Sequence, residues 1–196
     1  MHEQLKKHII DSTAIVIENA PLFAAQEIFF AGMSDAVSLH ARMYGALSVY
    51  LGVGFVYSYG RDFLKERLHI EEKSEFIQTA YDALYTSAFA GAYSIPLYLL
   101  SGSTDPKEIA LATIGGGIIG FVNGAPQGYM LDVCRDLAGI KECTRSSYPS
   151  FLREKSPTTK KLLALGLVSV SLATLIGMYN YSQDQSISLE NMVSSF

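Results

Sequence analysis

The stretch 108–131, EIALATIGGGIIGFVNGAPQGYML, decides how the whole chain is read. Among Asp, Glu, Lys and Arg it holds only Glu108, at its first position. A helix needs roughly 20 mostly apolar residues to cross a bilayer, and this stretch has them. Gly116, Gly120, Gly124 and Gly128 recur every four residues, giving three overlapping GxxxG units. They form one flat stripe on which another backbone can pack closely. That backbone belongs either to another helix of this chain or to a second copy. Passage of a substrate along the stripe is the lesser reading.

Outward from this stretch, four further segments have spanning length. They are 12–31, 36–58, 79–100 and 161–180, the first two interrupted by charges. Across the 196 residues the hydrophobic fraction is 49% and the charged fraction 17%. Soluble domains carry about 25% charged residues, so the balance favours a membrane chain over a bundle of very apolar soluble helices. The cations are also sorted. Two lie in 1–10, four in 60–76 and seven in 132–161, leaving only Arg42 and Lys107 elsewhere. The positive-inside rule then places the N-terminus and both basic loops in the cytoplasm and the C-terminal tail outside. The expected fold class is therefore all-α: two transmembrane hairpins plus a fifth, C-terminal transmembrane helix. The expected layout is a four-helix transporter-like unit over 1–137, a cytoplasmic loop over 138–160, the added helix over 161–181 and an external tail over 182–196. Membrane lipids are the expected surroundings.

Several classes are disfavoured. A net charge of −4, without basic runs interleaved with aromatics, does not suggest nucleic-acid binding. Cys134 and Cys143 form no disulfide framework or zinc pattern and read as thiols on a reducing side. His2, His8, His40 and His69 have no metal spacing, so no cofactor or metal is expected. The first helix lacks a signal-peptide pattern and reads as retained. No Ser/His/Asp set, P-loop or HExxH motif supports an enzyme.

A weak internal repeat runs through the chain. Asp11 and Asp82 lie near the starts of the first and third helices, and Gly32 and Gly102 follow each after about 20 residues. Each hairpin ends in an Arg–Asp pair, YGRDFL at 59–64 and DVCRDL at 132–137. Both hairpins run in the same direction, which makes this a parallel repeat.

Ionisable groups within spans carry the candidate chemistry, because an Asp or Arg near mid-helix costs about 2.5–3.5 kcal/mol. Glu27 and Arg42 are equally far from the turn midpoint between Ser34 and Asp35, so an antiparallel hairpin sets them at similar depth. They read as an outer gate or substrate contact, or else as an ion pair that closes the hairpin. Asp82 either snorkels to the interface or pairs with Arg61 or Arg135 in an inner, cytoplasmic gate, to which Asp132 also belongs. Glu18 precedes Asn19 and Pro21, and Pro21 frees the carbonyl of Ile17. Such breaks are where transporters build ion and amine sites, although a neighbouring helix or water can also satisfy them. Pro96 and Pro126 free the carbonyls of Ala92 and Val122 in the same way. Tyr57, Tyr59 and Tyr129 fit an interfacial aromatic belt.

These residues resemble the L-alanine exporter family of small bacterial inner-membrane proteins. The resemblance is carried by DSTAIVIENAPLFAAQEIFFAGMS (11–34), Arg42, YGRDF (59–63), Asp82 with Phe89, and GYMLDVCRDL (128–137). It implies export of a small amino acid such as L-alanine, driven by the proton gradient, from the inner (plasma) membrane. It also implies roles for Glu27, Arg42 and Asp82, and self-association linked to the glycine stripe; the expected assembly of this chain is a homodimer. The family's Pro and Asn in the second helix are replaced here by Leu47, Ser48 and Val49, and its Phe-Gln-x-Pro by Phe89-Ala90-Gly91-Ala92. Glu18 is an added acid, and 138–196 lie outside the resemblance. The competing readings are a membrane scaffold built on the stripe and a passive channel.

Overall fold

The structure is a computed structural model that describes residues 2–193, with side chains over 3–182. Among the described residues it holds helices and no strand. Helix α1 (His2–Ala25) runs through Pro21 and widens into a π-helical turn at Gln26–Phe30. A π turn fits an extra residue into the turn and re-aims the side chains around it. Gln26 and Glu27 are buried here, while Phe29 and Phe30 face outward. Gly32, at φ 71°, turns the chain, and the Ser34 side chain accepts from the Val37 amide to cap α2 (Asp35–Ser48).

The expected second span is broken rather than continuous. A second π turn, Val49–Val53, separates α2 from α3 (Gly54–Arg67), and Gly52 sits at φ 140° inside it. An L side chain rarely adopts that conformation, so glycine makes the break possible. No proline marks it. Conversely, α1, α4 (Glu75–Leu100) and α5 (Pro106–Leu137) continue through Pro21, Pro96 and Pro126. Asp105 caps α5, accepting from the Lys107 amide at 2.8 Å, and Pro106 opens the helix where no amide is needed.

The expected loop over 138–160 contains the short α6 (Ser150–Arg153). Helix α7 (Pro157–Val193) begins before position 161 and runs on through most of the expected tail. The end of that tail, 194–196, lies outside the described residues, as do the side chains from 183.

Helices α4 and α5 form the most extensive pair, and the glycine stripe explains it. A Cβ at Gly120 would meet Ala90 Cβ, Ser87 Cα and Thr86 O at 3.1 Å, and one at Gly124 would meet Asp82 O at 2.5 Å. Cβ atoms at Gly116 and Gly128 would press on Ser94 and on the Asp82 carboxylate. The stripe is therefore covered by α4 of the same chain, and it offers no free face to a second copy. Helix α1 packs across α5, and α7 lies along α1. Ser171 of α7 donates to the Ile17 carbonyl at 2.5 Å, the acceptor that Pro21 leaves free.

The polarity of the bundle is inverted relative to a protein folded in water. Its most deeply buried side chains include Arg61, Glu27, Asp11 and Asp82, while Phe55, Val56, Leu84, Ile118 and Val122 face outward. Helix α5 and the segment Pro157–Ser182 of α7 are long and apolar enough to cross a membrane. Ionisable groups inside and large apolar groups outside suit a hydrocarbon surround.

Candidate functional site

Two buried ion centres stand at opposite ends of the bundle, with a cavity between them. The first is built by the π turn and α2. Arg42 pairs with Glu27 Oε1, and Ser38 Oγ donates to Glu27 Oε2 at 2.8 Å. The Ser38 hydroxyl also meets the Tyr179 hydroxyl of α7 at 3.0 Å. The Arg42 guanidinium lies 5.2 Å from the Phe23 ring centre, a cation–π contact. Its Nε is buried with no hydrogen-bond partner among the described residues. Tyr98 lies against Glu27, but its buried hydroxyl makes no hydrogen bond of regular geometry.

The cavity has a volume of about 100 Å³. That is several times the space one water needs. Arg42 and Tyr98 line one end; Tyr57, Thr86 and Gln127 line the other. Its wall on α4 extends from Thr86 to Tyr98, about 18 Å at 1.5 Å per residue. Most of the remaining wall is apolar, from Ile15, Phe23, Val49, Phe89 and Leu97. Gln127 is buried and its Oε1 has no partner among the described residues. The Tyr57 and Thr86 hydroxyls meet at 2.7 Å, so Tyr57 lies inside the bundle rather than in an interfacial belt. Tyr59 is exposed.

One helical turn beyond Tyr57 and Thr86 stand Arg61 and Asp82, members of the second centre. Arg61 holds Asp82 through two bonds, at 2.8 and 3.0 Å. Arg135 holds Asp11 in the same way, at 2.7 and 2.8 Å. The two pairs are reciprocal. The aspartate at the start of each hairpin binds the arginine at the end of the other. Asp82 follows Asp11 by 71 residues and Arg135 follows Arg61 by 74, which is the spacing of the repeat. Asp62 reaches Arg135 at 3.1 Å and Lys7 at 3.2 Å. Asp132 meets Arg145 at 2.7 Å, Arg61 at 3.5 Å and Lys65 at 3.9 Å. Burial works against the charged form of Asp62, but the charges of Arg135, Arg61 and Lys7 outweigh it and hold the carboxyl below the usual carboxylate range.

The sequence-predicted residues are thus sorted. Glu27 meets Arg42; Asp82 meets Arg61 and not Arg135; Asp132 joins them. Glu18 stands apart, accepting from Asn123 Nδ2 at 2.7 Å, and does not line the cavity. Asp11, Asp62, Lys7, Lys65 and Arg145 were not among the candidate site residues. The repeat carried the signal for Asp11, since it matches Asp82. Arg145 was counted only among the seven cations of a loop.

Apolar helices around a core of paired ions, with a cavity between two such centres, define a helical membrane protein. The chain belongs to the L-alanine exporter family, whose model, described as AlaE, matches residues 1–141. It is 26% identical over 136 residues to the L-alanine exporter AlaE of Cronobacter sakazakii, covering 69% of this chain and 85% of that protein. It is 26% identical over 134 residues to the Escherichia coli K12 protein of that name, covering 68% and 89%. To the one from Aliivibrio salmonicida it is 31% identical over 112 residues, covering 56% and 72%. No solved structure matches.

Proposed function

We propose that the protein exports a small amino acid, L-alanine being the first candidate, across the inner (plasma) membrane by proton-coupled alternating access. The observation that carries this reading is the cavity with the Arg42 guanidinium in its wall and a buried ion centre at each end. A zwitterion needs a cation for its carboxylate and acceptors for its ammonium. Arg42 supplies the first, exchanging Glu27 for the substrate carboxylate. The unpaired Gln127 Oε1 and the hydroxyls of Tyr57 and Thr86 supply acceptors along the path. Glu27, released from Arg42, takes up the coupling proton. Glu18, held by Asn123, is a secondary proton site behind the cavity.

Five spans with the N-terminus in the cytoplasm and the C-terminus outside fit the placement of the cations. The Arg61–Asp82–Asp132 centre with Arg135 is then the cytoplasmic gate, and the Glu27–Arg42 pair the outer one. A homodimer would use a face other than the glycine stripe. The scaffold reading loses its main device to α4, and a channel has ion pairs standing at both ends of its path.

Counterflow of labelled L-alanine into proteoliposomes, with and without a pH gradient, tests the proposal. Saturable counterflow accelerated by the gradient is the expected result. No counterflow above protein-free vesicles would sink the exporter reading, and counterflow indifferent to the gradient would remove the proton coupling.

A further inference from the structure

Arg145 lies beyond the residues that the family model matches, yet it occupies the middle of the charged end. Its side chain is 3% exposed. Nη2 donates to Asp82 Oδ2 at 2.6 Å and Nε donates to Asp132 Oδ2 at 2.7 Å. The Tyr129 ring centre lies 5.7 Å from the guanidinium, and Arg153 donates to the Arg145 carbonyl at 2.7 Å. Side chain and backbone are both held in place.

Opening this end requires the bonds between the two hairpin halves to part. The ion pairs among them run from Arg61 to Asp82 and Asp132, from Lys65 to Asp132, and from Arg135 to Asp11 and Asp62. A buried carboxylate that loses its only cation is strongly disfavoured. Arg145 does not cross between the halves. It follows α5 and binds carboxylates of α4 and α5, all within the second half. Lys7 stands in the same relation to Asp11, one turn away on α1 at 2.9 Å. Each aspartate that pairs across the interface therefore has a second cation on its own half.

Resting on the exporter reading, we propose that Arg145 is a positioning residue of the transport cycle. It keeps Asp82 and Asp132 neutralised as Arg61 and Lys65 withdraw with α3, and so lowers the barrier to opening the charged end. A lock would span the halves. The closed state does not need Arg145 for neutralisation, because Asp82 retains Arg61 and Asp132 retains Arg61 and Lys65.

The buried thiol of Cys134, on α5 beside Asp11, is a native reporter of that opening. The test uses full-length protein carrying Cys143→Ser. Maleimide modification of Cys134 is followed in detergent, and labelled-alanine counterflow in proteoliposomes. Arg145→Gln is expected to slow both by several-fold and to leave the half-saturating alanine concentration unchanged. Arg145→Lys, which keeps the charge, should recover most of both rates. Faster modification in Arg145→Gln would mean a lock, and unchanged rates a purely structural residue; either overturns the proposal. If Arg145→Gln does not fold, Arg145→Lys decides: rates between zero and wild type support the proposal, and rates at or above wild type overturn it. Wild-type protein that carries no alanine refutes the exporter reading, while the modification rates still report what Arg145 does to opening.

Discussion

Removing one member of the Glu27–Arg42 pair leaves the other charge buried alone, a loss of about 3–5 kcal/mol when no new partner arrives. Arg42→Gln should therefore lower the unfolding temperature in detergent clearly. The double variant Glu27→Gln/Arg42→Gln should regain much of it, because two neutral amides replace two ions. Transport should respond differently, with both variants losing roughly tenfold or more of alanine counterflow, equivalent to about 1.4 kcal/mol of barrier. Normal counterflow by the double variant would remove Arg42 and Glu27 from the pathway. At the charged end, the Asp62 carboxyl is held below the ordinary carboxylate value of 3.8 by Arg135, Arg61 and Lys7. Groups with depressed pKa stabilise the fold above that value and lose their contribution as protons bind to the folded state. The Asp62 contribution to stability in detergent should be complete above about pH 4 and be lost as the pH falls below that. An Asp62→Asn protein should show a shallower fall below about pH 4 than wild type; an identical slope would deny Asp62 that part.

Within α5, position rather than composition decides what each glycine does. Gly124 meets the α4 backbone, whereas a Cβ at Gly117 would meet nothing within 4 Å. Gly124→Ala should destabilise the bundle by about 1–3 kcal/mol through overpacking. Gly117→Ala should be neutral or stabilising by about 0.5–1 kcal/mol, since glycine is a poor helix former. Thermal unfolding of the two variants side by side reads this, and equal losses would mean that both faces are packed. The four-residue period made the stripe legible, because spacing alone puts those glycines on one face. The break at Gly52 was not legible. Its neighbours form an ordinary apolar run, and only the φ of 140° singles that glycine out. The prolines misled in the opposite direction: their helices continue, and Ser171 on α7, 154 residues from Ile17, bonds the Ile17 carbonyl that Pro21 frees.

Over the whole molecule, the sorting of cations predicts which surfaces face the cytoplasm. Lys155 and Thr104 are both exposed and lie at opposite ends of the bundle. In a background of Cys134→Ser and Cys143→Ser, Lys155→Cys should react with a membrane-impermeant thiol reagent only from the cytoplasmic side. Thr104→Cys should react only from outside. The reverse pattern would invert the topology, and labelling of both from one side would break the five-span arrangement. The reciprocal Asp11–Arg135 and Asp82–Arg61 pairs add that the two hairpins exchange charges at one end.

The sequence by itself determined the helical membrane character, the glycine face and the candidate ions within the spans. Those depend on local length, period and polarity, which the chain displays directly. It also brought Glu27 and Arg42 to the same depth, because a short turn fixes the register of a hairpin. Only the tertiary structure decided that Asp82 takes Arg61 while Asp11 takes Arg135, that the stripe is used within the chain, and that Arg145 completes the charged end. Pairing among ions far apart in sequence depends on which helices become neighbours, and side-chain charge alone does not distinguish one arginine from another.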